Sequence, residues 1–200
     1  MGNFLDKLPS NVFIDKATTG VGATTMALEA KEKFIIAVPY TALADNKAEW
    51  CEKKGINVLV VKSGVSLEDI KNFKGDKILV VFDSLYKLIK YLPDYRSFRL
   101  MIDEVHVILT SALFRGSGMH SVLNNFKKFK DFVLITATPT NILYNIKEFK
   151  DIEKVRIEWQ DIKPITFSRD IVTLNDAYNV ADLVILLSKE HIKNPISSNA

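Results

Sequence analysis

The sequence has very little cysteine and histidine. Cys51 is the single cysteine among 200 residues, so no disulfide can form within the chain, and a reducing cytoplasm is the expected location. The three histidines, His106, His120 and His191, are far apart in sequence and lack the close spacing of a metal-binding cluster. These absences argue against a disulfide-stabilised secreted domain and against a small metal-cluster domain.

Long apolar runs and a strong charge of one sign are also missing. No apolar segment approaches the ~20 residues that span a bilayer, and the first residues lack the basic and apolar regions of a signal peptide, so we expect no membrane association. The 27 basic and 24 acidic residues leave a formal net charge of +3, which neither indicates nor excludes nucleic-acid binding. The apolar fraction of 48% is sufficient for a globular domain with a buried core.

Short, continuous apolar runs alternate with helix-forming segments along the first 140 residues. The predicted strands lie at 12–14, 33–38, 57–61, 77–82, 98–102 and 132–136, and the predicted helices between them include 67–73, 85–92, 105–114 and 119–129. Strands that are apolar on both faces are typical of a parallel sheet covered by helices on both sides. The sequence therefore predicts an α/β domain with a doubly wound sheet, whose ligand site lies at the carboxyl ends of the strands. Beyond residue 141 the pattern weakens, with extended segments predicted at 154–159 and 164–167 and an amphipathic helix at 176–191.

A glycine-bearing loop follows the first apolar run. Residues 17–25 read A-T-T-G-V-G-A-T-T and lie between the run at 12–14 and the helix formers at 26–30. Glycines let the backbone turn sharply towards an anion, and a helix N-terminus adds partial positive charge. In the usual phosphate-loop pattern, G-x-x-x-x-G-K-[ST], a lysine reaches the β/γ-phosphates; here Ala23 stands at the lysine position and Thr24 at the hydroxyl position. The alternative is an ordinary glycine-containing turn that caps a helix.

Chemically active side chains follow two later strands of the predicted sheet. Asp103 and Glu104 come directly after the run at 98–102. Because adjacent side chains at a strand end point to opposite sides, Asp103 can face Mg²⁺ while Glu104 faces a water, as nucleotide hydrolysis requires. The alternative is a pair of acidic residues at a helix N-terminus. Thr136 and Thr138 bring hydroxyls to the same edge after the next strand, where a simple turn is the alternative.

In this order, the three segments resemble motifs I, II and III of superfamily 2 helicases of the DEAD/DEAH-box-like group. The matching segments are T-T-G-V-G-A-T-T at 18–25, D-E-V-H at 103–106 and T-A-T at 136–138. Proteins of that family have two RecA-like domains, which clamp ATP between them and move along or open nucleic acid. The resemblance covers about residues 11–140 and implies a RecA-like P-loop NTPase domain over 1–162, with helices on both faces of a mostly parallel sheet. Residues 163–200 would then be a linker and the first helix of a truncated second RecA-like domain.

The resemblance also implies which residues bind ATP and Mg²⁺. Thr24 and Asp103 would hold Mg²⁺, partly through water, and Glu104 would activate the attacking water. The expected ATP-binding residues are Thr19, Gly20, Val21, Gly22, Ala23, Thr24 and Thr25, together with Lys16 as a candidate substitute for the lysine missing at Ala23.

Further residues would connect the nucleotide site with nucleic acid. By the same resemblance, His106 with Thr136 and Thr138 would couple the two sites. Backbone N–H groups and hydroxyls at helix starts suit phosphate contact, and the candidates for such contacts are Pro39, Tyr40, Thr41 and Ser84. Plain helix capping is an equal alternative for these four residues.

The sequence departs from the family at two points of the nucleotide site. The lysine missing at Ala23 removes a cation that can be worth ~3 kcal/mol in the transition state, about a hundredfold in rate. Lys16 is close in sequence, and we hypothesise that it reaches the phosphates instead; the alternative is that Ala23 is an engineered replacement. Gln160 is the only glutamine, so the upstream adenine-reading glutamine of DEAD-box proteins is absent, and Phe4 is a candidate for stacking on the base.

Three functional hypotheses remain from the sequence. The first is the ATP-dependent motor domain of a helicase or translocase, with DNA favoured over RNA and a second RecA-like domain supplying the arginine finger, since the chain has no Q-x-x-G-R-x-x-R segment. The second is a RecA-like module with impaired catalysis that binds nucleic acid or protein. The third is a viral packaging ATPase, which shares the acidic pair and a threonine coupling motif.

Overall fold

Residues 5–111 and 116–158 are described by a computed structural model of the chain. These residues form seven strands: β1 (Val12–Asp15), β2 (Phe34–Val38), β3 (Val58–Val61), β4 (Lys77–Val81), β5 (Arg99–Ile102), β6 (Asp131–Thr136) and β7 (Glu153–Arg156). The helices are α1 (Ala23–Glu29), α2 (Thr41–Lys53), α3 (Leu67–Asn72), α4 (Leu85–Tyr91), α5 (Val107–Ser111), α6 (Gly116–Leu123) and α7 (Asn141–Tyr144). Short 3₁₀ turns occupy Phe82–Ser84, Tyr95–Ser97 and Phe126–Lys128.

The seven strands form one sheet in the order β3-β4-β2-β5-β6-β1-β7, and every pair of neighbours is parallel. Every residue of β1, β2, β4 and β5 is buried, because helices cover both faces of the sheet. This confirms the predicted doubly wound α/β architecture. The order also places β1 beside β6 and β6 beside β5, so the loops that carry the three sequence motifs leave the sheet from adjacent strands.

Aromatic side chains fill part of the core beneath these strands. The Phe13 ring in β1 packs edge-on against Tyr144 and Phe149, at centroid distances of 5.0 and 6.0 Å. Phe126 packs in the same manner against Phe132 and Phe149. Edge-to-face packing of this kind adds to the area that the rings bury, and it fixes the strand from which the glycine loop departs.

At the amino-terminal edge of the sheet, Arg99 is buried with 2% of its surface exposed. Its guanidinium donates to Asp131 Oδ1 at 2.5 Å and to Glu32 Oε2 at 2.7 Å. It also donates to the carbonyls of Leu8 and Pro9 at 3.0 and 3.1 Å. A buried charge is tolerated only when it is paired and hydrogen-bonded in this way, so Arg99 fixes the segment that precedes β1.

Several predicted element bounds are wrong. The predicted helix at 119–129 is instead α6 followed by a separate 3₁₀ turn, because the chain breaks at Asn125, whose φ of −126° is not helical. The extended segment predicted at 154–159 is β7, and α7 was not predicted. The predicted helix at 105–114 is α5 within the described residues.

The remaining predictions for the end of the chain concern residues outside the described part. These are the extended segment at 164–167, the helix at 176–191 and the start of a second domain, and all three stay predictions. Residues 5–158 belong to one compact unit. Within the described ranges, no helix has the length and apolar character needed to span a membrane.

Candidate active site

The site lies where β1, β5 and β6 end at one edge of the sheet. Three backbone hydrogen bonds join the loops there: Lys16 N–H donates to Thr136 O at 2.8 Å, Asp103 N–H to Ala37 O at 2.9 Å, and Val105 N–H to Ile135 O at 3.0 Å. The loops therefore start from fixed positions, which is the usual basis of a ligand site in an open α/β sheet.

The glycine loop combines left-handed backbone with a helix start. Gly20 and Gly22 have φ values of 72° and 81°, a region that glycine enters without steric cost. Ala17 has a φ of 57°, which disfavours a residue with a Cβ, and the Asp15 carboxylate stabilises this turn by accepting the Ala17 N–H at 2.9 Å. Gly22 is the N-cap residue of α1. The loop thus has the strained, helix-opening geometry of an anion-binding turn.

Asp103 is the centre of the polar network and is 5% exposed. Its Oδ2 accepts the Thr24 hydroxyl at 2.7 Å, and its Oδ1 accepts the Glu104 N–H at 3.0 Å. The predicted metal-binding pair is therefore in contact. Carboxylate and hydroxyl oxygens are suitable ligands for Mg²⁺, which binds through one or two protein oxygens and keeps several waters, so these residues fit that cation.

Lys16 is buried between the two acidic side chains. Its Nζ lies 2.7 Å from Glu104 Oε1 and 3.3 Å from Asp103 Oδ1. Burial by itself lowers the pKa of this ammonium, but the charges and hydrogen bonds of Asp103 and Glu104 outweigh burial and raise the pKa above its usual value. Lys16 is therefore a cation at neutral pH, and it lies in the cavity where the usual phosphate-loop lysine is missing.

Glu104 has an unusual backbone conformation. Its φ is 54°, which is rare for a residue with a long side chain and is found preferentially at functional sites. The carboxylate is held on both sides, since Oε1 faces Lys16 and Oε2 lies 3.3 Å from His106 Nδ1. The strained backbone therefore carries a carboxylate with a fixed position.

His106 connects the acidic loop to the end of β6. Its Nδ1 lies 2.8 Å from the hydroxyl of Thr136, which is fully buried, and the same hydroxyl accepts the Thr138 N–H at 3.1 Å. The Thr138 side chain is exposed. The predicted coupling residues are thus in contact with one another, and the Nδ1 atom of His106 that meets Thr136 is also the atom that lies near Glu104.

A cavity of about 230 Å³ opens between the glycine loop and the acidic pair. Of the predicted nucleotide-binding residues, Thr19 is exposed and does not line this cavity. The lining residues are Lys16, Gly20, Val21, Gly22, Ala23, Thr24, Thr25, Leu43, Lys47, Asp103 and Glu104.

Lys47 is a site residue that the sequence analysis missed. It lies on α2, and its Nζ is 3.6 Å from Asp103 Oδ2. The available signal was the spacing from Leu43 to Lys47, which places the two residues on the same face of a helix that starts at the site edge.

A larger cavity of about 600 Å³ adjoins the first and shares Gly22 and Thr25 with it. The segment 5–8, the α1 residues Met26 and Glu29, and residues 30–32 with Phe34 complete its lining. Phe4, the candidate for stacking on a base, lies outside the described residues. The two cavities together offer a small charged compartment and a larger, partly apolar one that meet at Gly22 and Thr25.

The four candidates for nucleic-acid contact lie apart from this network, at the ends of β2 and β4. Tyr40 and Thr41 are exposed, and Pro39 is buried. Ser84 is only 5% exposed, whereas Tyr86, two residues further on, is 50% exposed. Because β2 and β4 are neighbours in the sheet, both groups lie on the same edge.

Comparison with known proteins places this geometry in a family. A sequence profile of the DEAD/DEAH box helicase family matches residues 10–146, and a search of curated proteins gave no match. A hypothetical ATP-dependent RNA helicase from Sulfolobus tokodaii has a similar structure, with a TM-score of 0.55, 20% identity, and coverage of 87% of this chain and 63% of that protein.

Two further solved structures have the same fold. The Pyrococcus furiosus Hef helicase domain has a TM-score of 0.54 at 18% identity, with coverage of 92% of this chain and 43% of its own. The yeast DEAD-box splicing factor Prp28 has a TM-score of 0.54 at 16% identity, with coverage of 90% and 49%. The chain thus spans between 43% and 63% of the length of these proteins. It belongs to the DEAD/DEAH box helicase family, and its described residues have the fold of the family's N-terminal RecA-like domain, with an alanine at the phosphate-loop lysine position.

Proposed function

We propose that this domain binds ATP with Mg²⁺ at the carboxyl edge of its sheet and serves as the ATP-hydrolysing half of a nucleic-acid motor. The observation that carries the proposal is the contact of Thr24 with Asp103 at 2.7 Å, at the mouth of a loop whose glycines and helix start suit phosphates. Bound Mg²⁺ would neutralise phosphate charge and polarise the reacting phosphate.

The remaining side chains then take separate roles. Glu104 is positioned to accept a proton from the attacking water, because its carboxylate lines the cavity and is held there by Lys16 and His106. The contacts of His106 Nδ1 with Glu104 and with Thr136 offer a route by which a change at the nucleotide reaches the end of β6. The larger cavity beyond Gly22 and Thr25 is the space in which we place the base and sugar.

Lys16 takes the part of the missing lysine in this proposal. Its ammonium already lies in the cavity that Ala23 lines, and the raised pKa keeps it charged. In the structure, the salt bridges to Asp103 and Glu104 take the place of water around the Lys16 ammonium. A bound phosphate oxygen would replace one of these two carboxylates as the partner of the ammonium.

The proposed track is DNA, bound along the edge that carries Tyr40, Thr41 and the segment near Ser84. The start of α2, where Tyr40 and Thr41 are exposed, suits phosphates of either DNA or RNA, so the test must compare the two. Motifs that complete the ATP site in the family belong to a second RecA-like domain, and we therefore expect slow turnover by this chain alone.

Two measurements test the proposal. Isothermal titration calorimetry of the 200-residue chain should detect binding of ATP in the presence of Mg²⁺, and phosphate release should increase when single-stranded DNA is added, more than with RNA of the same length. Glu104→Gln should retain binding and abolish the release. Stronger stimulation by RNA would replace DNA as the track, and absence of ATP binding would reject the proposal.

The second candidate function is a RecA-like module that binds nucleic acid or protein without catalysis. The salt bridge between Lys16 and Glu104 at 2.7 Å favours this candidate. In that salt bridge the proposed phosphate-binding cation and the proposed base neutralise each other, so neither is available for catalysis. Binding of DNA together with a failure to bind ATP would support this candidate.

A further inference from the structure

Lys47 brings a second ammonium group to the cavity, and neither the motifs nor the family resemblance assigns it a role. It lies on α2, whereas Lys16 follows β1. Its side chain is 23% exposed, which is low for a lysine on a surface helix, because lysine is among the residues least often buried. The position of this ammonium therefore calls for a specific anionic partner.

The Lys47 side chain lies between an apolar region and a carboxylate. Its side chain lines a neighbouring cavity of about 280 Å³ between α1 and α2, together with Leu28, Leu43 and Trp50. A lysine stem covers apolar surface of this kind while its charged end reaches a polar region. The charged end reaches the carboxylate of Asp103, where Nζ is 3.6 Å from Oδ2.

The two lysines contact different oxygens of the same carboxylate. Lys16 lies near Oδ1 of Asp103 and also binds Glu104, whereas Lys47 lies near Oδ2, the oxygen that accepts the Thr24 hydroxyl. The Lys47 ammonium lies farther from the Asp103 carboxylate than the Lys16 ammonium does, and its side chain is more exposed. Moving it away from Asp103 therefore loses a weaker contact. Lys47 is therefore the cation that can leave Asp103 at the lower cost.

We propose that Lys47 is a phosphate-binding residue of this domain, which exchanges its contact with Asp103 for an oxygen of the terminal phosphates. This inference rests on the proposed ATP-binding function. With Ala23 in the phosphate loop, Lys16 and Lys47 contribute two positive charges from outside the loop, one from the end of β1 and one from α2. The charge of each ammonium stays paired throughout the exchange, which keeps the desolvation cost low.

The test is calorimetric titration of the 200-residue chain with Mg²⁺ and either ATP or AMP. Lys47→Ala should weaken ATP binding by about tenfold or more, as expected for loss of a charge-assisted hydrogen bond to phosphate. AMP binding should change much less, because AMP lacks the terminal phosphates. Lys53→Ala is the matched control, since Lys53 is an exposed lysine on the same helix, and it should bind both nucleotides as the unsubstituted chain does.

A purely structural role for Lys47 would give a different pattern. The ATP and AMP affinities of Lys47→Ala would then fall by the same factor, together with its melting temperature, and this would overturn the inference, as would ATP binding equal to that of Lys53→Ala. If Lys47→Ala does not fold, Lys47→Gln keeps the stem and provides the same comparison. If the unsubstituted chain does not bind ATP, the proposed function is rejected together with this inference. If the unsubstituted chain binds ATP but Lys47→Ala does not weaken that binding selectively, only this inference is rejected.

Discussion

The ammonium of Lys16 lies 2.7 Å from Glu104 Oε1, although the two residues are 88 positions apart in the chain. Lys16, which we propose as the substitute for the missing phosphate-loop lysine, thus holds Glu104, the carboxylate that we propose activates water. A phosphate that draws Lys16 away would leave Glu104 available to accept a proton. Under the proposed function, a phosphate contact of Lys16 would therefore link phosphate binding to the state of the base.

Loss of the Thr24 hydroxyl should weaken nucleotide binding only when Mg²⁺ is present. Thr24→Val keeps the shape of a side chain that is 8% exposed but removes the donor to Asp103 Oδ2. We expect an affinity loss of about tenfold for ATP with Mg²⁺, measured by calorimetry with and without the metal. Thr24→Ser, which keeps the hydroxyl, should restore binding. An equal loss in the presence and absence of Mg²⁺ would show that Thr24 does not act through the metal.

Substitution of Arg99 should destabilise the domain strongly. Arg99→Met retains much of the volume but leaves Asp131 and Glu32 without their buried partner, at a cost of ~3 kcal/mol in the free energy of unfolding. Urea denaturation followed by circular dichroism measures this difference. Arg96→Met, which changes an exposed arginine three residues earlier, should stay within ~0.5 kcal/mol. Equal effects of the two substitutions would contradict the role of Arg99 as an anchor.

Acid should remove a small contribution from the carboxylate of Asp94. The hydrogen bond from Lys33 lowers the pKa of Asp94 below its usual value, and the Ser97 hydroxyl acts in the same direction. The unfolded chain therefore binds the proton more readily, so the contribution is present above about pH 4 and is lost as the pH falls further. Because the pair is partly exposed, solvent screening keeps the effect at or below ~1 kcal/mol.

The matching measurement is urea denaturation of the unsubstituted chain and of Asp94→Asn. At pH 7 the substitution should lower the denaturation midpoint, and the difference between the two midpoints should shrink as the pH falls below about 4. The same difference at both pH values would mean that ionisation of Asp94 does not contribute.

The fold and the motif cluster were predictable from the sequence for one reason. The strands are continuous apolar runs, and a parallel sheet brings the residues that follow each strand to a common edge. The contact of His106 with Thr136 follows from this rule, because both residues lie where a strand ends. The contact of Thr24 with Asp103 follows from it as well, because α1 begins at the loop that leaves β1 at the same edge.

Contacts that depend on the rotation of a helix or on the path of a long side chain were not predictable. The position of Lys47 at Asp103 requires the angle of α2 relative to the sheet, which no local pattern determines. The pairing of Lys16 with Glu104 depends on the positive φ of Glu104, since residues other than glycine rarely adopt that conformation. Arginine is usually a surface residue, and the burial of Arg99 is explained only by its tertiary contacts.

Calorimetric titration with ATP and Mg²⁺ measures whether Lys16 replaces the phosphate-loop lysine, as we propose. The unsubstituted chain should bind, Lys16→Ala should bind at least about tenfold more weakly, and Lys74→Ala, which changes an exposed lysine distant in sequence from the motifs, should bind normally. Lys16→Ala with the affinity of the unsubstituted chain would contradict the claim.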